Sequence, residues 1–162
     1  MFYQASTITR KWSPVGLQPN VISVPGRAKI GFYGMVNLSN GYLITKDSIK
    51  FNQDTFMEFI NLVLTTINDK KIYIILDNAR WHRSKRVNEF VKNNKNKRIV
   101  FLFLPPYSPE LNPIERVWKL TRRLLTHNRY FKTINHMIFE LLLQYHYWRQ
   151  PNEILHKLCA NI

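Results

Sequence analysis

Cys159 is the only cysteine in this 162-residue chain. That excludes a disulfide framework and a cysteine-based zinc site, and it suits a reducing compartment. Acid is the next shortage, since 10 Asp and Glu stand against 24 Lys and Arg for a formal charge of +14. Such a balance repels itself unless the partner is anionic, which makes nucleic acid the first candidate. No apolar run approaches the ~20 residues that cross a bilayer. The opening Met1-Phe2-Tyr3-Gln4-Ala5-Ser6 has neither the basic start nor the apolar centre of a secretion signal. A membrane partner is therefore not expected, and the reading is a cytoplasmic protein, nucleoid-associated if bacterial. The length suits a single domain, with no internal repeat.

The pattern along the chain alternates between strand and helix. Residues 1–29 carry Pro14, Gly16, Pro19, Pro25 and Gly26 and read as short extended pieces joined by turns. Residues 30–38 read as a strand, Ser39-Asn40-Gly41 as a hairpin turn, and Tyr42 to Phe51 as the return strand. Asn52 can cap a helix whose apolar positions Phe56, Phe59, Ile60, Val63, Leu64 and Ile67 follow helical spacing. Ile72 to Leu76 are five large apolar residues in a row, which predicts a strand covered on both faces. A helix from about Ser84 to Asn93 separates it from a second run, Ile99 to Leu104, so the two strands should be parallel. The Asn-rich stretch Lys92 to Arg98 reads as a loop. Pro113 begins a helix with Val117, Trp118, Leu124 and Leu125 inward and Arg116, Lys119 and Arg123 outward. A last helix, Ile134 to Trp148, should bury Ile138, Leu141, Leu142 and Tyr145.

Because acids are scarce, two of them stand out. Asp77 ends the first apolar run, at the carboxyl end of a sheet where α/β folds bind ligands, although it could equally start a turn with Asn78. Glu115 lies in the first turn of the helix opened by Asn112-Pro113, where it could complete a capping box with Asn112 or turn toward a metal. Two carboxylates held together need a compensating cation, and hard oxygen ligands favour Mg²⁺ or Mn²⁺. A pair of such ions can activate a nucleophile and steady the leaving oxygen at a phosphodiester, but two protein carboxylates are few for such a site. Fourteen of the 24 Lys and Arg fall between Arg80 and Lys132, where the only acids are Glu89, Glu110 and Glu115. Arg80, Arg83, Lys85, Arg116, Lys119 and Arg123 are the candidate phosphate contacts, with His82 as a phosphate contact or proton donor if it is not simply structural. His127, His136, His146 and His156 show no ligand spacing.

Asp77-Asn78-Ala79-Arg80-Trp81-His82 and the run Pro105-Pro106-Tyr107-Ser108-Pro109-Glu110-Leu111-Asn112-Pro113-Ile114-Glu115-Arg116-Val117-Trp118 resemble the DDE transposases of mariner-like elements and their bacterial insertion-sequence relatives. Trp12 to Pro19, Gly34-Met35-Val36-Asn37 and the helix after Glu115 extend the resemblance over nearly the whole chain. It implies an α/β, ribonuclease H-like mixed sheet flanked by helices, an acidic triad binding two Mg²⁺ ions, and cutting and joining of double-stranded DNA at transposon ends and target. Asp77 matches the second acid and Glu115 the third. The family's first Asp lies ahead of the segment resembling Phe2-Tyr3-Gln4, and nothing acidic precedes Asp47.

The expectation is therefore a single catalytic domain over 1–162, cut short at its amino end, with the first central strand missing or incomplete and no helix-turn-helix. It would be inactive alone, and partnered by a homodimer mate or an upstream transposase fragment. A non-catalytic DNA-binding remnant is the alternative reading, and a metal-dependent nuclease of the same fold a third.

Overall fold

Residues 30–36 fold as a strand because their large side chains face two ways, Ile30 and Phe32 into one core and Tyr33 and Met35 into another. In the computed structural model, which describes residues 1–18, 20–22, 27–67, 71–93 and 99–160, this strand is β2 (Lys29–Val36). β1 (Phe2–Tyr3) precedes it and β3 (Leu43–Ser48) follows. β2 and β3 pair antiparallel from Gly31↔Ser48 to Val36↔Leu43 across the expected turn, where Gly41 takes φ +71. β1 meets β2 at Phe2↔Ile30 and Tyr3↔Lys29 and is two residues long.

α1 (Gln53–Thr66) starts where its sequence indicates: the Asn52 side chain accepts the N–H groups of Asp54 and Thr55, and the Thr55 hydroxyl accepts the Asn52 N–H in return. β4 (Ile72–Leu76) and β5 (Ile99–Phe103) are parallel, in register from Ile72↔Ile99 to Leu76↔Phe103, with α2 (Lys85–Asn93) between them in sequence. Of the predicted loop, Lys92 and Asn93 close α2, and 94–98 lie outside the described residues, as do Pro19, Pro25 and Gly26.

Coverage of β4 on both faces is not what the fold provides. Ile72, Ile74 and Leu76 are buried in the core shared with α1 and α2, but Tyr73 on the opposite face is 60% exposed and Leu102 of β5 is 46% exposed. The other buried core, which joins β1, β2 and β3 to the carboxyl-terminal helices, holds no residue of β4 or β5. Among the described residues there are two sheets, β1-β2-β3 and β4-β5, and nothing pairs with β2 beyond Ile30 on its β1 side or with the β4 edge away from β5.

α3 (Pro113–Thr121) runs into a π-helical turn (Arg122–Thr126) and is followed by α4 (Ile134–Tyr147) and α5 (Glu153–Ala160). The π turn shifts the buried stripe, so Leu125 is buried while Leu124, predicted inward, is 46% exposed. In α4 the buried stripe is Met137, Leu141 and Tyr145, and Leu142 faces outward rather than in. Beyond α4, the last helix expected from the pattern, α5 adds the fully buried Leu155 and Cys159. Gly34 has no side chain to displace the Trp118 indole, and this seats α3 on β2.

Candidate active site

Asp77 is the first residue beyond β4, and its carboxylate is about half exposed. Oδ1 accepts the Ala79 N–H at 3.0 Å and a hydrogen from His82 Nδ1 at 2.9 Å. The turn and the ligand roles therefore coexist: Oδ1 holds the turn, and Oδ2 has no donor among the described residues. His82 Nδ1 also lies 3.3 Å from the Asp77 carbonyl oxygen. Both neighbours accept, so Nδ1 carries the proton. The imidazole packs on Phe56, ring centroids 4.3 Å apart, and is buried.

The His82 hydrogen bond holds the Asp77 carboxyl below the usual carboxylate range; partial burial opposes it and the Ala79 N–H assists. A depressed carboxyl pKa adds stability that is present above the ordinary value and is lost as pH falls through the lowered one. His82→Ala should therefore return the Asp77 pKa toward the ordinary value, read as the pH midpoint of its carboxyl carbon NMR shift. An unmoved midpoint would rule out His82 as the residue that positions this carboxylate.

Asn78 fastens the neighbouring wall. Its amide donates to the Leu104 carbonyl at 2.6 Å and accepts from Arg83, while the Leu104 N–H donates to the Leu76 carbonyl at 2.9 Å. The Arg83 guanidinium lies over the Phe103 ring, 4.3 Å from its centroid. Together these contacts hold the loop that begins at Pro105 beside Asp77.

Glu115 sits at the third position of α3. The capping box open to it in the sequence does not form: the Asn112 side chain makes no cap bond. Among the described residues, the Glu115 carboxylate takes part in no ion pair within 4.0 Å. The Met1 ammonium feels its charge, although burial and then Arg122 outweigh it and push that amine's pKa down. Asp77, Asn78, Asn112 and Glu115 line one cleft of about 160 Å³ with Leu104 and Tyr107. Acids separated by 37 residues of sequence thus meet at one opening. Tyr107 is fully exposed there and holds the left-handed conformation, φ 59.

The structure sorts the remaining candidates. Arg80, Lys85, Lys119 and Arg123 are exposed. His82 is turned inward onto Asp77. Arg83 is engaged by Asn78 and Phe103, and Arg116 Nη1 donates to the Leu158 carbonyl at 3.1 Å in the last turn of α5, satisfying an end carbonyl. Asn78 and Tyr107 were not among the sequence candidates. The signal for Asn78 was its place directly after an apolar strand, where a side-chain amide can bridge two strand ends.

Two carboxylates on one opening form a hard oxygen donor pair, and Mg²⁺ commonly takes one or two carboxylates with waters and a substrate phosphate. In donor type the pair suits one such ion. Among the described residues no group of three Asp, Glu, His or Cys is placed to hold a metal, so a second ion has no further ligand there.

Two solved structures share this architecture. The Mos1 strand transfer complex matches with a TM-score of 0.62 at 16% identity over 99% of this chain and 51% of that one. The Mos1 transposase paired-end complex with left transposon end matches at 0.67 and 15% identity over 98% and 48%. The fold is accordingly ribonuclease H-like. In sequence, the insertion element IS630 uncharacterized 39 kDa protein of Shigella sonnei is 25% identical over 118 residues, 72% of this chain and 34% of that protein. The uncharacterized protein y4pE/y4sA of Sinorhizobium fredii (strain NBRC 101917 / NGR234) is 42% identical over 65 residues, 40% of this chain and 44% of that protein. The chain spans less than half the length of these curated relatives. The DDE superfamily endonuclease profile matches residues 1–138, a span that includes β1 to β5, Asp77 and Glu115, and the chain belongs to that superfamily.

Proposed function

We propose that the 162 residues form a DDE transposase catalytic domain that engages double-stranded DNA, with Asp77 and Glu115 as the ligands of a divalent cation, Mg²⁺ or Mn²⁺. The observation that supports this reading is the meeting of the two carboxylates on one cleft, from the end of β4 and the start of α3. When bound, the ion would supply Lewis-acid polarisation of a phosphodiester. The chain's own residues bind and orient. His82 and Ala79 occupy Asp77 Oδ1 and leave Oδ2 without a donor among the described residues, and Asn78 fixes the wall. Arg80, Lys85, Lys119 and Arg123 supply exposed cations for the DNA backbone, while Arg83 and Arg116 brace the fold around the cleft.

With two carboxylates on the cleft, the chain by itself binds duplex DNA without cutting it. Its binding is governed by phosphate neutralisation, so the logarithm of affinity falls linearly with the logarithm of salt, with a slope of about −0.9 per phosphate contacted. Alanine at Arg80, Lys85, Lys119 or Arg123 should each flatten that slope by about 0.9, measured by fluorescence anisotropy on a short duplex. Nicking of supercoiled plasmid with Mg²⁺ is the companion assay. Cleavage lost in Asp77→Asn would show that two carboxylates suffice, and failure to bind duplex DNA would end the reading.

A further inference from the structure

Residues 4–9 are stitched to the turn that follows the π-helical end of α3. The Gln4 side chain donates to the Phe131 carbonyl at 3.2 Å, and the Ser6 hydroxyl to the Arg129 carbonyl at 2.7 Å. Thr7 pairs with His127 in a parallel bridge, and its carbonyl accepts the Asn128 N–H at 3.0 Å. The Asn128 side chain accepts the Thr9 N–H and donates to the Thr9 hydroxyl, both at 2.9 Å. Past this anchor the chain projects outward. The Leu17 N–H bonds the Pro14 carbonyl across a turn with Gly16 at φ +87, and the Ser13 hydroxyl donates to the Leu17 carbonyl. Trp12, three residues beyond Thr9 and just before that turn, is 99% exposed.

The charge around this loop has one sign, because no Asp or Glu occurs in 1–46 or in 116–139. Arg10, Lys11, Arg129 and Lys132 are exposed, and Tyr130, 46% exposed, lies between the last two in sequence. Such a surface repels a second copy of the same chain and attracts a polyanion. Phosphate contacts need no aromatic ring, whereas an exposed indole offers a flat face on which a base can stack. In a duplex each base is covered above and below by its neighbours, so the indole reaches a base face only where the strand is unpaired. His127, at the foot of the loop, follows Glu115 by twelve residues along the helix, about 18 Å at ~1.5 Å per residue. None of Arg10, Lys11, Trp12, Arg129 or Tyr130 lines the cleft of Asp77 and Glu115.

We propose that the loop carrying Arg10, Lys11 and Trp12 binds single-stranded DNA, with the Trp12 indole stacked on an unpaired base and Arg10, Lys11 and Arg129 on the flanking phosphates. This rests on the reading that the chain engages DNA, and it adds a contact made to bases rather than to the backbone.

Of the four tryptophans only Trp12 is exposed, so it reports on its own contact. The test titrates the full chain with an oligo-dT of about 12 nucleotides and follows tryptophan emission, with affinities for the oligo-dT and for a duplex measured by anisotropy. Oligo-dT should quench the wild-type chain, and the quench should vanish in Trp12→Ala. The ratio of single-strand to duplex affinity should fall about 5- to 150-fold in Trp12→Ala, the range of one base–aromatic stack, and less in Trp12→Phe, which keeps a ring. An abasic strand of the same length keeps its phosphates and should not quench. An unchanged ratio in Trp12→Ala, equal losses in the Ala and Phe variants, or equal quenching by the abasic strand overturns this inference alone. Self-association of the chain that is lost in Trp12→Ala also overturns it, because the loop's partner is then a second copy. Absence of binding to either form of DNA overturns it together with the reading it rests on.

Discussion

Asp77→Asn and Glu115→Gln are each expected to weaken Mn²⁺ binding by about 100-fold or more, measured by calorimetric titration. Loss of a residue that only supports a metal ligand typically costs about 10- to 100-fold, and removing one of two carboxylates lies at or beyond the upper end of that range. Both replacements keep size and shape. Asn at position 77 retains an oxygen for the Ala79 and His82 donors, so the turn survives and the change isolates the charge. His82→Ala should cost less, about tenfold, because His82 acts through the carboxylate it holds. Unchanged affinity in either carboxylate variant would place the ion elsewhere.

Gly41→Ala is expected to destabilise the fold by about 3 kcal/mol or more, the sum of a left-handed non-glycine residue and a steric clash with backbone. At φ +71, a Cβ on Gly41 would run into the Asn152 carbonyl oxygen and lie 2.6 Å from the His156 nitrogen. Neither is a side chain that can swing aside. Asn152 donates its N–H to the Asn40 carbonyl at 2.8 Å and accepts the Leu155 N–H at 3.0 Å, so the hairpin turn and the start of α5 form one joint. The effect reaches the cleft because α5 meets the α3 start through Arg116 on Leu158 and through the buried Cys159 thiol, which donates to the Pro113 carbonyl at 3.5 Å. Gly16 provides the control. It has φ +87 with nothing within 4 Å of a Cβ, so Gly16→Ala should cost only the backbone strain, about 1 kcal/mol. Equal losses for the two substitutions in urea unfolding would contradict this packing.

Local signals carried most of the fold. Asn52 with Thr55, the hairpin around Asn40-Gly41, and the two apolar runs at Ile72 and Ile99 each specify an element through neighbours a few residues away. What escaped depends on distant partners. Whether Tyr73 is covered is decided by which layer packs over β4, and the outward turn of Leu124 by a π-helical register that helical periodicity does not contain. α5 is short, with Leu155 and Cys159 as its buried residues, too few to give a strong helical pattern. The site was legible as two acids at the ends of elements and as a family motif. The role of His82 was not, because its burial comes from Phe56 on α1, 26 positions earlier in the chain. Arg83 and Arg116 read as surface cations for the same reason: Phe103 and Leu158 are far from them in sequence.

Asp77 and Glu115 are proposed to share one divalent ion. Anomalous difference density from crystals of the full chain soaked in Mn²⁺ tests it directly. A single peak bridged by the Asp77 and Glu115 carboxylates is expected, absent from crystals of Asp77→Asn. A peak bound by only one of the two carboxylates, or by neither, would contradict it.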